Sequence, residues 1–172
     1  MQITFHLEPA DIERFQRALA DARVAVRSAD EGELIDCAKH TLDRLPLATM
    51  PLYVRDRLQQ VQRMIAMLED EEWALPPALR EEVLSALVYF SDPDDMIPDA
   101  MPVIGLLDDA IMLELLLREE RELLVAYETF CTARRKLGPV PGELAARTAW
   151  CTALRHERRQ LIDALKASRQ IY

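Results

Sequence analysis

The run Tyr89-Phe90-Ser91-Asp92-Pro93-Asp94-Asp95-Met96-Ile97-Pro98-Asp99-Ala100-Met101-Pro102-Val103-Ile104-Gly105-Leu106-Leu107-Asp108-Asp109 lies between two apolar helical patterns and holds three prolines, one glycine and six aspartates. Proline lacks an amide N–H and disfavours helix at the residue before it. Residues 91–108 are therefore expected to form a tight interhelical turn, with helices on both sides. The charge is as one-sided as the backbone. Residues 81–117 contain nine carboxylates (Glu81, Glu82, Asp92, Asp94, Asp95, Asp99, Asp108, Asp109 and Glu114) and no Lys, Arg or His.

Clustered carboxylates repel, and a desolvated one is too costly to keep ionised without a partner. Three kinds of compensator are available. Backbone N–H groups of the turn and of the following helix start can cap onto Asp95, Asp99 and Asp108. Arginines from elsewhere, such as Arg80, Arg118 or those of the C-terminal helix, can fold back. A hard cation, Mg2+ or Ca2+, can be held by Asp95, Asp99, Asp108 and Asp109. Adjacent Asp108 and Asp109 diverge by about 100 degrees on a helix and make a poor chelating pair. The stretch also lacks the alternating acids, central glycine and closing glutamate of a calcium loop. Capping is the preferred reading, and no cofactor is expected; a divalent metal at the four aspartates is the alternative.

Upstream of the turn, Ile12, Phe15, Leu19, Ala22 and Val26 space one stripe along a helix of about 9–28. Asp30 and Glu33 stand in capping-box positions before a second helix with Ile35, Ala38, Leu42 and Leu45 inward. Pro51 opens a third, whose Val54, Leu58, Val61, Ile65 and Leu68 give the cleanest periodicity in the chain. The run Glu69-Asp70-Glu71-Glu72 reads as a solvated turn, with Trp73 closing the core behind it. Pro76-Pro77 starts a fourth helix with Val83, Leu84, Leu87, Val88 and Phe90 inward. Downstream, one long helix is expected over about 107–137, through Ile111, Leu115, Leu123, Tyr127 and Phe130 to a Gly138-Pro139 stop. A last basic helix carries Leu144, Cys151, Leu154, Leu161 and Leu165 on one face. Ile3, Phe5 and Leu7 alternate as in a short extended segment.

The expectation is an all-α, single-domain bundle of about six helices: a helical domain over 1–137, a linker at 138–142 and a basic helix over 143–172. Half of the residues are apolar and only 4 are Gly, which suits helices. The net charge of −9 is uneven: residues 1–131 hold 27 acids against 12 bases, and 132–172 hold 3 against 9. An acidic chain is not expected to bind nucleic acid, which needs excess cations for phosphate. The basic helix is expected to dock on the acidic body of its own chain or of a second copy, through residues 143–170. A membrane surface is not expected, because Arg147 and Arg158 interrupt that helix's apolar face.

Cys37, Cys131 and Cys151 are widely spaced, which suggests reduced thiols and, with no secretory signal or membrane span in the sequence, a cytoplasmic protein. His6, His40 and His156 have no partner at metal-ligand spacing. Phosphate-binding glycine loops, dinucleotide folds and nucleophile elbows are all missing from the sequence. A non-enzymatic interaction or regulatory module is expected, with a metal-dependent hydrolase or metal-binding module as the alternative.

The residues Tyr89-Phe90, Pro93, Asp95-Met96-Ile97-Pro98-Asp99, Pro102, Gly105 and Asp108-Asp109 closely resemble the signature of the YkvA-like bacterial family, over about 83–117. That signature is a Tyr-Phe helix end, a Pro-Xaa-Asp-Leu-Ile-Pro-Asp turn, a Pro-Xaa-Xaa-Gly step and an Asp-Asp pair opening a helix. Met96 replaces the usual Leu, and Asp94 is an extra acid. The resemblance implies a helical fold and narrows attention to Asp95, Asp99, Asp108 and Asp109. It implies no reaction.

Overall fold

The computed structural model describes residues 9–45, 50–91, 114–118 and 120–169, apart from the side chains at positions 11 and 53. The fold is all-α, with no strand among the described residues. The helices are α1 (Pro9–Val26), α2 (Glu31–Arg44), α3 (Leu52–Glu69), α4 (Pro77–Phe90), α5 (Arg121–Leu137) and α6 (Leu144–Arg169), and residues 114–118 are also helical. The extended N-terminal segment and the turn expected at 91–108 lie outside the described residues, except for Ser91.

Helix α4 is the hub, packed against α1, α2 and α3. Its sequence explains the position: Leu79, Val83, Leu84, Ser85, Ala86 and Leu87 are all buried, so nearly the whole circumference avoids water. A helix that is apolar around its circumference belongs inside. The buried hydroxyl of α4, on Ser85, donates to its own helix's Glu81 carbonyl at 2.7 Å and so is not left unmet. Helix α3 buries all five residues of its periodic stripe, with Met64 and Met67 beside them. On the other side α5 meets α3, and α6 lies along α5. The Asp30 side chain caps α2 by accepting from Glu33 N–H at 3.1 Å, and Gly138 ends α5 with φ 73°.

The helices depart from the pattern read in the sequence in three places. The long helix expected over 107–137 is divided: Glu120 is non-helical and caps α5 with φ −94° and ψ 2°. On α6, Leu144 is 78% exposed, whereas Trp150 and Ile162 are buried beside Leu154 and Leu165. Leu154 and Leu165 of the expected face are buried and Cys151 and Leu161 pack against the core, so only Leu144 leaves that face, while Trp150 joins it with its indole N–H donating to the Gly138 carbonyl at 3.1 Å. Ile12, placed on the inner stripe of α1, is 41% exposed, while Phe15, Leu19 and Ala22 are buried.

Candidate functional site

The cation-free stretch 81–117 begins on α4 and ends on helical residues 114–118. Three of its nine carboxylates are described, and each meets an arginine imported from a distant element. Glu81 accepts from Arg27, just beyond α1, at 2.8 Å. Glu82 is paired with Arg169 at the end of α6, which also reaches Glu120 at 3.4 Å. Glu114 accepts from Arg57 of α3 at 2.8 Å and from Arg118, one turn away, at 3.2 Å. Burial pushes the Glu114 carboxyl up, but the hydrogen bonds from Arg118 and Arg57 outweigh it and hold the group below its ordinary value of 4.5. Tyr89 is positioned on the same helix by an edge-on contact with Phe15, with ring centroids 5.3 Å apart.

Of the arginines considered as compensators from the sequence, Arg118 and the C-terminal helix's Arg169 do reach this stretch. Arg80 instead donates to Glu31 of α2 at 2.7 Å. Arg57 and Arg27 carried no sequence signal, since nothing in a linear pattern places α3 or the end of α1 beside residues 81 and 114. Asp95, Asp99, Asp108 and Asp109 lie outside the described residues. No group of three or more His, Cys, Asp or Glu side chains among the described residues is placed to hold a metal ion.

A second acidic node was read in the sequence as a solvated turn, and the structure corrects this for Asp70. Its side chain is only 8% exposed and lies at the end of α3. Oδ1 accepts from the backbone N–H of Glu72 at 3.1 Å, from that of Trp73 at 3.0 Å and from Arg134 at 3.0 Å. Oδ2 accepts from the Tyr127 hydroxyl at 3.0 Å and lies 2.9 Å from the Arg134 guanidinium. Arg134 also reaches Glu72 at 2.8 Å and lies over the Phe130 ring. Trp73, fully buried, packs against Tyr127 and Phe130, and Arg158 of α6 donates to the carbonyls of Trp73 and Ala74.

Burial works to raise the Asp70 carboxyl, but the hydrogen bonds from Arg134, Trp73 and Tyr127 together hold it below its ordinary 3.8. Burial first, then the Cys131 thiol and the Asp70 charge, push the Tyr127 phenol well above its usual value, so it remains a donor. A carboxylate engaged by this many donors is a fixed anion rather than a proton acceptor. Its chemistry is to lock the α3–α4 turn onto α5, while Arg158 ties the same turn to α6.

A family model described as a protein of unknown function (DUF1232) matches residues 82–115. The matched segment runs from the Arg169-bound Glu82 to the residue after the Arg57-bound Glu114. No curated protein and no solved structure matches the chain. No helix among the described residues is long and apolar enough to cross a membrane.

Proposed function

We propose that this chain is a non-enzymatic, cytoplasmic interaction or regulatory module of the YkvA-like kind, in which residues 91–108 form a braced turn offered to a protein partner. The observation that carries this reading is the set of imported arginines: Arg27, Arg169 and Arg57 each neutralise a different shoulder carboxylate of the stretch. At these three shoulder positions the charge is balanced by the protein's own arginines, which supports a braced turn between them. A second copy of the chain is one candidate partner, through residues 143–170. It would meet the outward side of α6, because Trp150, Leu154, Ile162 and Leu165 belong to this chain's own core.

Thermal melting of the full chain in EDTA, Mg2+ and Ca2+, for wild type and Asp95→Asn, tests the brace against a metal site. The expected result is one melting temperature for each protein whatever the cation, with Asp95→Asn lower throughout. Cation-linked stabilisation of about 3 kcal/mol at a hundredfold excess over Kd, lost in Asp95→Asn, would replace this reading with a metal-binding one.

A further inference from the structure

Seven large apolar side chains are exposed among the described residues, and their distribution is uneven. Ile12, Val24, Leu52 and Val125 stand on separate helices or separate turns, as isolated exposed apolar residues ordinarily do. The other three, Leu137 (39%), Val140 (53%) and Leu144 (78%), fall within eight residues at the tip where α5 turns into α6. Around them stand the exposed cations Arg135, Lys136 and Arg147, none in an ion pair among the described residues. Between residues 129 and 156 the only acid is Glu143. The tip therefore joins apolar surface to local positive charge, on a chain whose net charge is −9.

Its shape narrows the occupant. Residues 139–140 and 142–149 are exposed and a Cβ added at Gly138 or Gly142 would meet nothing within 4 Å, so the connection stands open to solvent. A groove can enclose a peptide, whereas an open, exposed connection suits a surface that yields to it. Pro139 and Pro141 restrict the connection beforehand, and Arg147 fastens it by donating to the Pro141 carbonyl at 3.1 Å, so little ordering is left for docking. We propose that residues 135–147 form a membrane-contact tip for anionic lipid. Leu137, Val140 and Leu144 enter the headgroup boundary, while Arg135, Lys136 and Arg147 meet lipid phosphates. The tip lies outside the residues that the family model matches, and it is not the length of α6 on which no membrane surface was expected: Leu154 and Leu165 there are buried, whereas Leu137, Val140 and Leu144 at the tip are exposed. The contact is peripheral and reversible, and salt weakens it.

Co-sedimentation of the full chain with vesicles of equal parts phosphatidylcholine and phosphatidylglycerol, against pure phosphatidylcholine, tests this. Binding is expected to the mixed vesicles alone and to fall as salt is raised. Val140→Ser/Leu144→Ser and Arg135→Gln/Lys136→Gln should each weaken it by about tenfold, the second pair also flattening the salt dependence. All four positions are exposed, so unchanged thermal melts would show that the variants fold. No binding to mixed vesicles at low salt, or binding that both variants leave intact, would overturn the proposal. So would a tip variant that changes the sedimenting mass of the protein alone while no vesicle binding is seen, which would assign the tip to a second copy. The cation melts read residues 91–108 and the vesicles read residues 135–147, so failure of one reading is distinguishable from failure of the other.

Discussion

The chain has two acidic stretches without cations of their own, Glu69–Glu72 and residues 81–117, and both import arginine across more than fifty residues. Arg134 reaches Asp70 over 64 positions, and Arg57 reaches Glu114 over 57. The difference lies in burial. Asp70 is nearly sealed and collects two backbone amides, a phenol and a guanidinium, whereas Glu81 and Glu114 keep more than a third of their side chains in water. A charge pair gains when solvent is excluded and every lone pair is met, and contributes little where water competes. The same composition therefore gives a keystone at one turn and a set of light clamps at the other.

The sharpest way to break this contrast is Asp70→Asn. Removing one partner of a buried pair strands the other, and urea unfolding should show a loss of about 3 kcal/mol, with Glu72 still attending Arg134. The pH dependence follows from the direction of the shift. Because the folded-state value of Asp70 lies below its unfolded value, its contribution is complete above about pH 4 and fades as pH falls through the lower, folded-state value. Wild type should lose this increment on acidification, and Asp70→Asn should lack that part of the acid limb. If the two proteins lose stability in parallel between pH 5 and 2, Asp70 is not the keystone.

Tyr127→Phe keeps the ring against Trp73 but deletes the hydroxyl bond to Asp70. A loss of about 1 kcal/mol is expected from chemical denaturation. At the acidic shoulders the effects should be smaller. Arg57→Gln should cost about 0.5 kcal/mol and Arg27→Gln less still, since Arg27 is 70% exposed, and added salt should shrink both. A shoulder variant as damaging as Asp70→Asn would erase the distinction between keystone and clamp.

Much of the architecture was legible residue by residue. Val54, Leu58, Val61, Ile65 and Leu68 announced α3 because helical spacing and burial coincide there, and all five are buried. Asp30 marked the start of α2 and Gly138 the end of α5, since capping is settled by atoms only a few residues apart. The leucine spacing on α6 placed Cys151, Leu154, Leu161 and Leu165 at the core but missed Trp150 and Ile162 and misplaced Leu144, which stands in the exposed first turn. The break at Glu120 was also hidden, as the apolar pattern continues on both sides of it. Asp70 looked like any member of a solvated charge run, since its partners Tyr127 and Arg134 come from another helix.

By itself, the sequence determined the all-helical class, most helix limits and the unusual character of residues 81–117, because periodicity, capping and proline geometry act over a few residues. Only the tertiary structure decided which acid is buried, which arginine answers each carboxylate and which apolar side chains stand outside at the α5–α6 tip. Those outcomes depend on solvent exclusion and on contacts between helices far apart in the chain, and no local pattern encodes either.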